Sequence, residues 1–217
     1  VVLVLMALPV AVVAGCIYYL RHIKSDWVVD ARGNGDVKSL AQAMTSARTG
    51  ATIHVRPGRY EESLVMARPL TIQGIGDAAE IIVAAPGPCV TITAGTGAIS
   101  GLTFIGGTDS DHSPGGACVE IAGASTVSLT GTVIRNAAGT GLRIGEDAAP
   151  VVRGNRIEQI SGPAIVIQDR ATGTITANAI TAGGAPGVLI RDAAAPLVTE
   201  NRIDSAIQAG ILVTGES

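Results

Sequence analysis

Apolar residues recur along most of the chain in short alternating runs, and the runs themselves return every 23 residues. The triplets Val119-Glu120-Ile121, Leu142-Arg143-Ile144, Ile165-Val166-Ile167, Val188-Leu189-Ile190 and Ile211-Leu212-Val213 each begin 23 residues after the last. Two further columns keep the same step: Leu129, Val152, Ile175, Val198, and Ile134, Ile157, Ile180, Ile203. A helical repeat of this length would hold a 3.6-residue period over about ten positions. Here the alternation lasts roughly three or four residues and yields to Gly, Asn or Asp. The signature of a leucine-rich solenoid is missing as well. Three short strands and three turns per repeat predict an all-β fold, a parallel β-helix. Its coils stack at about 4.8 Å, so each column becomes a ladder inside an apolar bore. Asn155, Asn178 and Asn201 form one such ladder, with Thr132 in the place one coil earlier. Asparagine suits that corner because it tolerates left-handed backbone and its amides hydrogen-bond along the column.

Upstream the step lengthens. Val90-Thr91-Ile92 matches Val119-Glu120-Ile121 at a spacing of 29, and Leu102-Thr103-Phe104 matches Thr132-Val133-Ile134 at 30. The surplus falls in a polar loop from Gly106 to Gly116 that contains Asp109, Asp111 and His112. Ile53-His54-Val55, Leu64-Val65-Met66 and Leu70-Thr71-Ile72 read as the opening strands. Before them Val37, Leu40, Ala41 and Met44 keep helical spacing, with Asp36 as N-cap and Gly50 as stop. A short capping helix there would cover the open end of the bore, which solenoids need.

Residues 1–20 carry no charge, long enough as a helix to span a membrane of about 30 Å. Tyr18 and Tyr19, then Arg21, His22 and Lys24, mark its interface. The expected organisation is a transmembrane helix over 1–20 and a juxtamembrane linker over 21–27. A β-helix domain over 28–217 follows, of which 28–50 is the cap. A signal peptide, or a lipoprotein signal at Val13-Ala14-Gly15-Cys16, stays open for the same segment. The chain opens on Val1 and stops inside a repeat, so it reads as a fragment of a longer protein.

Composition narrows the picture. Of 217 residues 28 are glycine, about twice the usual share, and only five are aromatic, so Val, Ile, Leu and Ala must fill the core. The net charge of -3 offers no basic excess for a phosphate backbone, which argues against nucleic acid as a partner.

Several motifs resemble a known family. They are Val28-Val29-Asp30 leading to Gly33-Asn34-Gly35-Asp36, Leu40-Ala41-Gln42-Ala43, Ile53 through Glu62, and Pro69-Leu70-Thr71-Ile72-Gln73-Gly74. Together they look like the start of pectin-esterase-like and NosD-like β-helix proteins of the pectin-lyase-like superfamily. The resemblance implies a right-handed coil over residues 28–217, and a polysaccharide or cell-surface ligand along the outer face of the first strands. It does not imply one activity, since lyases, esterases, epimerases and non-catalytic binding proteins share these motifs. Gly58, Tyr60 and Glu62 match an element of pectin esterases. The catalytic Gln, two Asp and Arg of those enzymes have no matching motif in the central coils; Ile167-Gln168-Asp169 resembles one of them, but Arg170 follows.

Candidate chemistry is sparse. Among outward residues of the first strands, only Glu120 and Arg143 are polar enough to meet a ligand, and an exposed ion pair without chemistry is the reading they favour. Val166, Leu189 and Leu212 should form an exposed aliphatic stripe on the same face. Glu146, Asp169 and Asp192 stack at 23-residue steps and are a weak calcium candidate, the alternative being carboxylates that bond their own turns while Arg170 and Arg191 offset repulsion. No other cofactor is expected. The Asp109, Asp111, His112 insertion is the better ligand-binding candidate, because the fold does not require it. Cys89 and Cys118 each precede a first strand and should lie at one corner of adjacent coils. The expected function is non-catalytic carbohydrate or surface-ligand binding on a membrane-anchored domain outside the cytoplasm. The alternatives are a lyase, epimerase or hydrolase with catalytic coils beyond Ser217, and a structural or sensor ectodomain of a membrane receptor.

Overall fold

The computed structural model describes residues 24–93, 95–106, 116–183 and 185–215. The alternating positions build three parallel sheets of seven, eight and seven strands, wound so that seven coils carry a strand in every sheet. The first sheet holds the triplets, from Leu64–Met66 through Ala117–Ile121 and Thr140–Ile144 to Ile211–Thr214. The second runs from Asp26–Val29 and Thr52–Val55 to Leu197–Thr199, and the third from Gly58–Tyr60 to Arg202–Asp204. Register follows the 23-residue step: Val119 pairs with Leu142, then Ile165, Val188 and Ile211. Val90 pairs with Val119 and Phe104 with Ile134, at the longer spacings expected of the early coils. Strands at Ile81–Ala85 and Thr96–Ser100, which the periodicity does not predict, complete the third and second sheets there.

The bore is aliphatic. Ile53, Ile72, Ile99, Leu129, Val152 and Ile175 stack as one buried ladder, and Val83, Phe104, Ile134, Ile157 and Ile180 as another. Burying each such side chain contributes about 1.5–3 kcal/mol relative to exposure, against about 0–1 for an exposed ion pair. The ladders therefore hold the fold, and the surface charges adjust it. In the last coil Ile211 is 46% exposed while its ladder neighbour Val188 is fully buried, because among the described residues no later coil stacks on it.

At the other end the expected boundaries shift. Asp26 and Trp27, assigned to a linker, belong to a strand that pairs with Thr52–Val55, and Trp27 is buried. The capping helix is Leu40–Ser46, with Ser39 and not Asp36 as its N-cap. Val37 is outside it because Val37 bridges to Val29 as a strand residue, and the Asp36 carboxylate accepts the Val28 N–H at 2.8 Å and pairs with Lys24. The helix packs on the strands Asp26–Val29, Thr52–Val55 and Leu64–Met66, with Leu40, Ala43 and Met44 turned inward. Residues 1–20, the expected transmembrane helix, lie outside the described residues. Among the described residues no helix is long and apolar enough to cross a membrane.

The asparagine ladder is present, with one change in its cause. Asn155 Oδ1 accepts the N–H and the hydroxyl of Thr132 at 2.9 and 2.8 Å, and Asn178 Oδ1 accepts the N–H and side-chain amide of Asn155, both at 3.0 Å. Asn201 Oδ1 repeats this for Asn178 at 3.0 and 2.8 Å. The left-handed residue at the corner is not the asparagine but the one before it: Gly131, Gly154, Ala177 and Glu200 have φ of 58°, 64°, 53° and 57°. Asparagine is thus selected by its paired donor and acceptor, and backbone tolerance is demanded of its neighbour. A non-glycine residue in that region carries about 1–2 kcal/mol of steric cost. Replacing Ala177 with glycine should therefore raise the unfolding free energy, by about 1 kcal/mol after allowing for glycine's greater unfolded-state entropy. A urea midpoint that falls instead would show that Ala177 is not strained.

Candidate functional site

The Gly-x-Tyr-x-Glu element is taken up by the fold. A Cβ on Gly58 would sit 3.0 Å from that of Ala31. Tyr60 is buried, and its hydroxyl donates to the Arg56 carbonyl at 2.8 Å. Burial raises the Tyr60 pKa above its ordinary value, which keeps the hydroxyl a donor. Glu62 accepts from the Ser39 hydroxyl at 2.6 Å and from the N–H groups of Leu40 and Ala41 at 2.7 and 3.1 Å, so it ties down the first turn of the capping helix. All three residues have structural work that accounts for their spacing.

Beside them lies a cleft of about 620 Å³ where the third sheet turns into the first. It forms because side-chain height varies across neighbouring coils. Ala84 and Ala85 are short, Ile105 stands beside Ala84 in the next coil, and Arg59, Glu61 and Ser63 form the opposite wall. Pro86 and Gly87 supply the turn between. Arg59 Nε pairs with Glu61 Oε1 at 3.1 Å. Sequence reasoning missed this cleft because the first coils have no regular step; the signal was present in the bulky and small residues that alternate at matching strand positions. The segment with Asp109, Asp111 and His112 follows Gly106 of the cleft directly in sequence, and it lies outside the described residues.

Glu120 and Arg143 are neighbours on the outer face of the first sheet, joined at 2.9 Å and each 26% exposed. Neither lines the cleft. The aliphatic stripe differs from expectation: Val166 is only 5% exposed, and Leu189 and Leu212 are half-buried. Valine is short, and at one strand spacing on either side it has the longer Arg143 and Leu189.

The carboxylate column keeps the expected arginine compensation and differs in which turn it bonds. Glu146 accepts the N–H of Gly123 at 2.8 Å, Asp169 that of Glu146 at 2.8 Å, and Asp192 that of Asp169 at 3.3 Å. Each carboxylate thus takes its backbone N–H from the turn of the coil before it, not from its own. Gly123, Glu146, Asp169 and Asp192 all have φ between 55° and 65°, so the ladder satisfies N–H groups that left-handed turns leave without a strand partner. The Glu146 N–H is the chief reason the Asp169 carboxyl lies below its ordinary range. Arg170 pairs with Asp147 through two bonds of 2.8 and 2.7 Å and Arg191 donates to Gln168 at 2.5 Å, while Arg191 Nε also lies 3.8 Å from the Asp192 carboxylate and both guanidiniums help to lower the Asp169 carboxyl, so they offset the repulsion as expected. Gln168 and Asp169, which look like part of an esterase site, are held in these contacts. Among the described residues no group of three or more His, Cys, Asp or Glu is arranged to hold a metal ion.

Residues 89–217 match the family model for a right handed beta helix region. No curated protein matches the sequence. Among solved structures the chain is similar to a pectin methylesterase from carrot, with a TM-score of 0.56 and 12% identity over 90% of this chain and 89% of that one. For the pectin methylesterase of Erwinia chrysanthemi the TM-score is 0.45, with 14% identity over 90% of this chain and 67% of that one. At 12% identity the likeness to the carrot protein is one of fold.

Proposed function

The chain belongs to the family of right-handed β-helix proteins, and from that premise we propose that it is a carbohydrate-binding domain without catalytic chemistry of its own. The observation that carries this reading is the cleft of about 620 Å³. A sugar ring presents an apolar C–H face and a rim of hydroxyls. The cleft offers Ala84, Ala85, Pro86 and Ile105 to the first, and Arg59, Glu61 and Ser63 to the second. Few polar groups placed around an apolar floor are what orients a small ligand. Support for the non-catalytic part is that the polar side chains of the outer face and its turns are held in contacts: Glu120 with Arg143, Asp147 with Arg170, and Asp169 with backbone.

Residues 1–20 are read as a membrane anchor that holds this domain outside the cytoplasm, where polysaccharide is met. Release of the full chain from membranes by alkaline carbonate would remove that part of the reading.

The central test is a glycan array combined with an assay for unsaturated or new reducing-end products. Binding without product formation is expected. Ile105→Arg, which fills the cleft from its rim, should weaken binding about tenfold, equivalent to about 1.4 kcal/mol. Arg143→Ala should leave it unchanged. No binding to any glycan would refute the ligand class, and product formation would refute the absence of catalysis.

A further inference from the structure

Cys89 and Cys118 occupy matching corner positions in adjacent coils, since Val90 pairs with Val119 and the Cys89 N–H donates to the Cys118 carbonyl at 2.8 Å. Their sulfurs are 3.3 Å apart and fully buried. In the later coils this corner holds Gly141, Ala164, Gly187 and Gly210, where small size is the requirement: a Cβ on Gly141 would meet the Ala164 carbonyl at 2.7 Å. Two adjacent cysteines exceed what that packing needs. We propose that Cys89 and Cys118 are a modification site, an inter-coil disulfide formed by exchange with an external small-molecule or protein disulfide.

Three observations converge on the pair. Neighbouring parallel strands set Cα atoms about 4.8 Å apart, inside the range of about 4.4–6.8 Å that a disulfide spans. The sulfurs approach each other instead of diverging. The site also adjoins the cleft, because a Cβ on Gly106, one of its lining residues, would sit 2.5 Å from the Cys89 sulfur. The bridge would tie the third coil, which leads into the fully regular repeats, to the irregular second coil.

The exchange runs in two steps. The Cys89 thiolate attacks one sulfur of the external disulfide and releases the other as a thiol. Cys118 then gives up its proton, attacks the Cys89 sulfur and expels the second thiol. The pair loses two electrons and two protons, and the external disulfide gains both. The order of attack does not change the product, since either thiolate followed by the other gives the same bridge. Both sulfurs being buried, the reaction takes place while the strand Ala117–Ile121 is undocked, during folding or local opening.

The inference does not depend on what the cleft binds. To test it, the full chain is refolded with oxidised and reduced glutathione, alkylated under denaturing conditions and mapped by mass spectrometry. A peptide joined through Cys89 and Cys118 is expected, with both labelled only after reduction. Reduction should lower the thermal midpoint by about 5–10 °C, as for closure of a loop of roughly 30 residues. The double variant Cys89→Ala, Cys118→Ala, small like the later coils, should show no such response. Two free thiols after oxidative refolding, or a bridge through Cys16, would overturn the proposal.

Discussion

Asn178→Leu is expected to lower the unfolding free energy by about 3–5 kcal/mol. The side chain has four roles in the ladder. Its oxygen accepts the N–H and the side-chain amide of Asn155, and its nitrogen donates to the Val152 carbonyl and to Asn201 Oδ1. Leucine is close in size and can fill the space, yet it leaves the buried partners without mates. Each orphaned buried group costs about 1–3 kcal/mol, which outweighs the apolar area gained. Asn201 is only half-buried, so Asn201→Leu should cost about half as much. Urea denaturation at neutral pH separates the two. A change below about 1 kcal/mol at Asn178 would mean that water replaces the lost partners and that the corner is not sealed.

Glu62→Ala is the second large effect, an expected loss of about 2–4 kcal/mol concentrated at the N-terminal cap. Its carboxylate receives one hydroxyl and two backbone N–H groups, and bonds to a charged acceptor contribute about 1.5–3 kcal/mol each net of exchange with water, less here because Glu62 is only partly buried. Ser39 still accepts the Gln42 N–H at 3.0 Å, so part of the capping survives. Trp27 is the one tryptophan, and it is buried in the strand against which the capping helix packs. Its emission should shift to the red at lower urea than the global transition. Coincident, wild-type-like transitions would show that Glu62 does not hold the cap, and the Gly-x-Tyr-x-Glu element would then need another explanation.

The two substitutions differ in how readable they were. The column Asn155, Asn178, Asn201 is visible in the sequence because a residue in a stacked coil meets its own equivalent, so periodicity in the chain is periodicity in space. The task of Glu62 is not visible. It reaches helix residues 22 positions earlier, a contact that follows no repeat. The same division runs through the candidate site. Glu120 and Arg143 were placed side by side by the 23-residue step, and the structure keeps them there. The cleft at Arg59, Glu61 and Ile105 lies in coils of unequal length, where no column predicts which side chains share a wall.

What the sequence by itself determined is therefore the solenoid: its coil length, its aliphatic bore, the register of its later coils and the proximity of Cys89 to Cys118. These follow from translation along one axis, where matching residues stack whatever the detailed geometry. Only the tertiary structure decided the sense of the contacts. It put left-handed backbone on Ala177 instead of Asn178, and moved the N-cap from Asp36 to Ser39. It turned each carboxylate of the Glu146, Asp169 and Asp192 column toward the coil before its own. The reason is that hydrogen bonds at corners and caps depend on where backbone N–H groups point after the chain has turned. A pattern of apolar and polar residues records which side faces the bore, not that direction.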